Sequence, residues 1–417
     1  MPPTDIGDKG RIWETWSAIG PFSLETTVRP PAHRILETPQ SATIRIADLA
    51  ATLRREGVDI LDFSAGRASE DSPLDICQVA ADALMGGDTH QTMARGTPEF
   101  RRACALKLER ENGVVSDPER EIVATMGCKH GLMLALLATV NPGDEVIVED
   151  PCFVSYQAAI RYAGAVPVAV PMRRENKFRW APDELDAAVA DRTAAILYCS
   201  PHNPAGTVHT EEDLEAIAEV ARRHDLVVIA DETYERLTWG DRVHRCIANL
   251  PGMAERTIGL MGVTKAFSMG GWRIGFAYAN EEITASMMML QAHMNTCAGS
   301  FAQAGAAKAL GDEPSAAVRN LWEEWRQRID LVVTAADAIP GASCAMPEGS
   351  FYAWIDVSEL GVPTVELAER LLRERHIALV PGSAFGPTGE GFLRMTCVKS
   401  WDDVHAGVAR LEEGLTS

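Results

Sequence analysis

The chain has 417 residues, 46% hydrophobic and 24% charged, a balance ordinary for a folded globular protein and long enough for one large and one smaller domain. Fifty-nine acidic residues against 39 basic ones leave a formal net charge of -20, which opposes encounter with nucleic acid or an anionic membrane. The nine cysteines are scattered without CxxC or zinc-type Cys/His spacing, which argues for reduced thiols and against a disulfide framework or metal site. The opening MPPTDIGDKG lacks a basic stretch followed by an apolar run, and no run of about 18 apolar residues occurs. The expectation is a soluble cytoplasmic protein.

Residues 1–40 carry Pro, Thr and the aromatics Trp13, Trp16 and Phe22 without a clear period, and read as an N-terminal arm. SATIRIADLAATLRREG, from Ser41 to Gly57, has apolar residues at helical spacing; VDILDF then reads as a strand leading into Ala65 and Gly66. Thr97-Pro98-Glu99 predicts a helix start, with a capping hydroxyl, a proline in the first turn and an acid near the positive end of the dipole. EIVATMGCKHGLMLALLATV reads as a strand, a small-residue turn and an amphipathic helix. Gly127, Cys128 and Lys129 would present backbone N–H groups at that helix's N-terminus, where unpaired donors and the dipole favour an anion. Strand DEVIVED is followed by PCFVSY, whose Phe153 is a flat apolar partner for a ring or simply a core residue.

Strand AAILYCS leads into PHNPAGT, where two prolines stiffen the loop, Asn203 offers a donor and His202 reads as structural. TEEDLEAIAEVARRHD has the caps and charge polarity of a surface crossover helix. LVVIADETY is a continuous apolar strand, as buried parallel strands are, ending on Asp231 with Tyr234 three residues on. A carboxylate at that place is costly unless it meets a cation. The apolar run Thr257–Met261 then delivers Lys265, between Thr264 and Ala266, to the end of a buried strand. Desolvation there lowers an ammonium pKa and frees an amine for Schiff-base chemistry. Arg273, eight residues later, adds a fixed cation, and Gly262, Gly270 and Gly271 permit close approach of a bulky ligand.

Helical patterns over Glu281–Asn295, Phe301–Leu310 and Pro314–Ala338 lead into a smaller α+β portion with GSFYAWIDV, ALVPGSAFG and FLRMTCV. Arg394, in the last of these, sits on a strand and needs a partner, either a ligand carboxylate or an internal salt bridge. Strands alternate with helices over roughly residues 60–280, an α/β arrangement with a mostly parallel sheet in which each motif falls at a strand end or βα turn. Each piece taken alone has an ordinary structural reading; together they converge on one cavity.

The run MGVTKAFSMGGWRIGFAYA resembles the SxSKAFxMxGWRIG motif of class I/II aminotransferases, the fold-type I enzymes that use pyridoxal 5'-phosphate (PLP). The resemblance extends in order over nearly all the chain after the arm. It implies that Lys265 carries the cofactor as a Schiff base and that Arg273 and Thr264 hold its phosphate, with the Gly127, Cys128 and Lys129 turn as phosphate cup. Phe153 stacks on the ring, Asn203 and Tyr234 reach its O3', and Asp231 faces its ring nitrogen. Arg394 grips the substrate α-carboxylate, with Gly66 and Asn203 beside it. Lys265, Asp231 and Tyr234 are the implied catalytic residues.

Three positions depart from the family pattern. Gly262 replaces the first serine of the motif, Gln91 stands where a tyrosine reaches the partner subunit's PLP phosphate, and Arg67-Ala68 replace Glu-Pro after Gly66. The implied architecture is a large PLP-binding domain over 61–300 and a small α+β domain built from 41–60 and 301–417, in a homodimer. The implied reaction moves an amino group between an L-amino acid and a 2-oxo acid. Departures at the substrate and phosphate ends leave a second expectation, in which the same cofactor serves elimination, cyclisation, decarboxylation or oxidation, as in proteins similar to capreomycidine synthase.

Overall fold

The computed structural model describes residues 32–36, 42–311 and 313–416; the arm read over residues 1–40 lies almost wholly outside the described residues. Strand β1 (Leu61–Asp62) is followed by β2 (Ile122–Thr125), β3 (Glu145–Asp150), β4 (Val166–Pro171), β5 (Thr193–Cys199), β6 (Val227–Asp231), β7 (Thr257–Met261) and β8 (Gly275–Tyr278). β2 to β8 form one seven-stranded sheet in the order β2-β8-β7-β6-β5-β3-β4. β3 to β7 run parallel, and β8 runs antiparallel to both neighbours. The carboxyl ends of β3, β5, β6 and β7 therefore share one edge with the amino end of β8, so the loops that follow Asp150, Cys199, Asp231 and Met261 meet Arg273 there.

The apolar character of these strands follows from cover on both faces. Along β5, Ala195 and Leu197 join the core on one side of the sheet, while Ile196 and Tyr198 join the core on the other. Full burial of a chain the size of Ile196 or Leu197 contributes about 1.5–3 kcal/mol. Helix starts follow the local chemistry: Thr97 accepts from the Phe100 N–H, and Thr210 forms a reciprocal capping box with Asp213. The helix Cys128–Thr139 has Gly127 at its N-cap and no side-chain cap, so its first-turn N–H groups stay available. It was expected to be amphipathic; instead Leu132, Leu134, Ala135 and Leu136 are all buried, because the sheet lies on one side and helix Glu281–Met294 on another.

The C-terminal part adds β9 (Ser343–Cys344), β10 (Tyr352–Asp356), β11 (Ile377–Ala378), β12 (Val380–Pro381) and β13 (Phe392–Thr396). An antiparallel sheet β12-β13-β10-β9 packs beside the 23-residue helix Ala316–Ala338. The strand expected over residues 58–63 shrinks to Leu61–Asp62, since the Val58 N–H is taken by Leu53 at the end of the preceding helix and β1 has only two partners, Ile377 and Ala378. That short pairing ties helix Ala42–Arg55 and the Gly66 loop to the C-terminal part. Among the described residues no helix is long and apolar enough to cross a membrane.

Candidate active site

At the shared strand edge lies a cavity of about 450 Å³, a volume in the range of small-molecule sites. Gly66, Cys128, Lys129, Phe153, Asn203, Asp231, Tyr234, Thr264, Lys265, Arg273 and Arg394 all line it. Gly127 abuts it: φ is +79°, and a Cβ there would lie 2.7 Å from the Arg273 guanidinium. Gln91 is exposed and does not line the cavity of its own chain. Arg67 is exposed beside an adjoining cavity.

The floor is built around Asp231. Its Oδ2 accepts from Tyr156 Oη at 2.7 Å, and its Oδ1 accepts from the Thr233 hydroxyl at 2.5 Å and the Thr233 N–H at 3.2 Å. Burial pushes this carboxyl above the usual range, while the bonds from Thr233 and Tyr156 and the charge on Lys265 pull it back. A cation placed against it would complete the compensation. Tyr156 carries no role in the sequence reading; the available signal was its place three residues after Phe153, one helical turn on in PCFVSY.

Lys265 Nζ donates to the Gly66 carbonyl at 2.8 Å and lies 5.8 Å from the Tyr234 ring. Arg273, itself in the left-handed region at φ +54°, donates to the carbonyls of Gly270 and Met126. Lys129 Nζ stands 5.2 Å over the Phe153 ring. Partial burial, Arg273 and Lys265 together hold the Lys129 ammonium below its ordinary value, although the residue stays exposed at the cavity wall. Among the described residues neither Arg273 nor Lys129 is in a salt bridge with a carboxylate, although the chain is strongly acidic. Three cations crowding one wall beside the open N–H groups of Cys128 and Lys129 make a site for an anion. The Gly262 departure has a local reason: a Cβ there would meet Cys128 Sγ at 3.3 Å and Gly275 Cα at 3.2 Å, so Cys128 occupies the space a larger residue would need. Burial pushes the Cys128 thiol up to about 12 and keeps it neutral.

The opposite wall comes from the C-terminal part. Arg394 on β13 is 5% exposed, donates to Asn203 Oδ1 at 2.9 Å and to the Ser64 carbonyl at 2.6 Å, and lies between the rings of Tyr352 (4.3 Å) and Phe385 (4.8 Å). Its Nε has no partner and, among the described residues, no carboxylate pairs with it. Burial lowers its pKa. The internal salt bridge that the sequence left open is thus absent, and a guanidinium buried without an anion calls for one from outside. Asn203 spends its carbonyl on Arg394, which leaves its amide N–H₂ as a donor. Tyr352, also unassigned from sequence, closes the wall through a 2.9 Å bond between its hydroxyl and that of Tyr234.

Below the floor, Glu149 is fully buried, accepts the Cys199 N–H at 3.0 Å and faces His209 at 3.4 Å and His202 at 3.5 Å. Burial pushes its carboxyl up to about 7 and pushes His202 down to about 3. On the other side of β6, Glu232, His244 and Cys246 place ligand-type atoms within 4.8 Å of one another. The Cys spacing gave no hint of that trio, which Tyr278 anchors by donating to Glu232 at 2.8 Å.

Residues 58–411 match the family model described as aminotransferase class I and II. An aspartate aminotransferase of Pyrococcus abyssi is 38% identical, over 89% of this chain and 94% of that one. An aromatic-amino-acid aminotransferase of Thermococcus litoralis is 36% identical, over 86% and 93% respectively. The solved structure of Thermus thermophilus aspartate aminotransferase with maleate superposes with a TM-score of 0.86 at 35% identity, covering 93% of this chain and all of that one.

Proposed function

The chain belongs to the class I and II aminotransferases and transfers an amino group between an amino acid and a 2-oxo acid; from that premise we propose that it does so with PLP bound at Lys265 and with an acidic amino acid as a substrate. The cavity fits the cofactor on its own chemistry. An unpaired cationic wall and an open helix N-terminus suit a phosphate, Phe153 offers a flat face, and the buried carboxyl of Asp231 lacks only a cation. PLP, when bound, supplies a carbonyl that condenses with amines and a cationic ring that withdraws electrons from the substrate Cα.

The residues divide the remaining work. Arg394 takes the substrate α-carboxylate in a bidentate pair, held at the right angle by Asn203, Ser64 and the two flanking rings. Lys265, released when the substrate amine takes its place on the cofactor carbonyl, would be the base that takes the Cα proton and returns it. Asp231 keeps a proton on the ring nitrogen, and Tyr156 and Thr233 keep Asp231 ionised. Asn203 and Tyr234 donate toward the ring oxygen. Arg273, Thr264 and the Gly127–Lys129 turn would hold the phosphate. The Lys129 ammonium, which lines the cavity with no carboxylate partner among the described residues, is the natural contact for a distal carboxylate. Two of the relatives act, by name, on aspartate, and the Thermus structure holds maleate, a dicarboxylate.

The observation that carries the reading is the buried Arg394 with no acid beside it among the described residues. The test is borohydride reduction of the PLP-loaded protein followed by peptide mass spectrometry: a pyridoxyl adduct on Lys265 is expected, and an unmodified Lys265 ends the proposal. The site would lie between the large part, residues 61–300, and the part made from 41–60 and 301–417. Exposed Met93, Met289, Met294 and Phe301 support a homodimer through this side of the molecule, with Gln91 facing the partner's site. Nine free thiols accord with the cytoplasm.

A further inference from the structure

We propose that Tyr352 is a positioning residue that sets the proton direction of Tyr234 and links it to the carboxylate site at Arg394. The inference rests on the cofactor reading above. Tyr352 opens β10 and is 2% exposed; it pairs in register with Thr396, one alternation from Arg394 on β13, so the two side chains lie on the same face of the small sheet. Three contacts converge on it. Its hydroxyl is 2.9 Å from that of Tyr234, its ring lies 4.3 Å from the Arg394 guanidinium, and its hydroxyl presses on Gly66, where a Cβ would come within 2.0 Å of it. Gly66 is in turn the residue whose carbonyl holds Lys265 Nζ. One side chain from the C-terminal part thus touches the amine holder, the phenol and the carboxylate binder.

The consequence lies in how two hydroxyls share one bond. If Tyr234 donates to Tyr352, its hydrogen is consumed inside the pair. If Tyr352 donates to Tyr234, the Tyr234 O–H is released into the cavity, where it can serve the ring oxygen of the cofactor. A guanidinium over the Tyr352 ring draws density from its hydroxyl and favours the second arrangement. The accepted bond also polarises Tyr234 and makes it a stronger donor. The titratable and charged groups around the pair are Arg394 and Lys265, with Cys199 nearby; Phe351 fills the remaining side against both tyrosines. None of these groups is a carboxylate.

The test compares PLP-loaded wild type with Tyr352→Phe, Tyr234→Phe, the double variant and Tyr352→Leu. The readout is the pH midpoint of the visible absorbance change of the loaded protein. A strong donor to the ring oxygen stabilises the deprotonated chromophore; Tyr352→Phe leaves the Tyr234 O–H free but removes the accepted bond that polarises it, so the midpoint is expected to move upward by about half a pH unit. The same change on a Tyr234→Phe background is expected to add nothing. For turnover, Tyr352→Phe keeps the ring under Arg394 and lowers kcat by about three- to tenfold with KM for the amino donor nearly unchanged. Tyr352→Leu removes the ring and raises that KM as well. The Phe variants preserve shape, so loss of fold does not cloud the comparison. A midpoint identical to wild type in Tyr352→Phe, or an undiminished shift when Tyr234 is already Phe, overturns the proposal. A wild type with no cofactor absorbance overturns the cofactor reading instead.

Discussion

Lys129 illustrates how a residue's meaning changes between its place in the chain and its place in space. In sequence it is one member of a turn that offers a backbone N–H to a phosphate. In the fold its ammonium stands on the cavity wall over Phe153, with Arg273 and Lys265 as neighbours and, among the described residues, no carboxylate in a salt bridge with it. A desolvated substrate carboxylate meeting this charge gains a charge-assisted bond of about 1.5–3 kcal/mol. Lys129→Ser is therefore expected to lower kcat/KM for aspartate by about ten- to a hundredfold while leaving that for an aromatic or aliphatic amino acid within about threefold. Parallel assays on the two substrate classes with 2-oxoglutarate decide it; equal losses for both would remove Lys129 from side-chain recognition. Arg394 shows the opposite case, a residue whose need for a partner was readable from FLRMT, while the absence of a carboxylate beside it among the described residues was not.

Among elements, the turn from β2 into the helix Cys128–Thr139 does the most with the least chain. Gly127 is required twice over, by its left-handed φ of +79° and by the Arg273 guanidinium 2.7 Å from where a Cβ would stand. Gly127→Ala is expected to displace Arg273 and weaken PLP binding by at least about tenfold, since the phosphate loses one charge-assisted contact; equilibrium dialysis against PLP measures this directly. Wild-type affinity in the variant would show that the turn does not serve the phosphate. The strands were legible because buried parallel strands are apolar throughout, as in LVVIAD and AAILYC. The strand expected over residues 58–63 was overlong because its length is set by β11, some 315 residues away, and not by its own apolar run. The helix Cys128–Thr139 is more widely buried than its own residue pattern shows for the same kind of reason: its second cover, helix Glu281–Met294, is distant in sequence.

For the whole molecule, the buried charge beneath the site makes stability depend on pH. Glu149 in the folded state holds its proton up to about 7, against 4.5 when unfolded. A raised carboxyl pKa gives stability that is fully present below about 4.5 and is lost as the pH rises through about 7. Glu149→Gln should accordingly have a thermal midpoint that falls less than that of wild type between about pH 5 and pH 8. Midpoints of the two proteins that fall in parallel over that range would refute the assignment. The exposed apolar residues of the 84–93 segment and of helices Glu281–Met294 and Ser300–Gly311 make a second, independent prediction. If they form the subunit boundary, Phe301→Glu with Met289→Glu is expected to shift the protein from dimer to monomer in sedimentation velocity, and with it to lower PLP affinity. A dimer of unchanged strength places the interface elsewhere.

By itself the amino-acid sequence determined the order of strands and helices, the strand ends that carry Lys265, Asp231 and Asn203, and the family, because each depends on short-range pattern: apolar runs, caps, glycines and the spacing from Lys265 to Arg273. Only the tertiary structure decided that Tyr156 supports Asp231, that Tyr352 joins Tyr234 to Arg394, that Lys129 has no carboxylate in a salt bridge with it among the described residues, and that Glu149 lies buried beneath the floor. Those facts are matters of which groups are left without a partner. Partnership is settled by packing across tens to hundreds of residues, where the low dielectric of the interior makes each missing or present charge count.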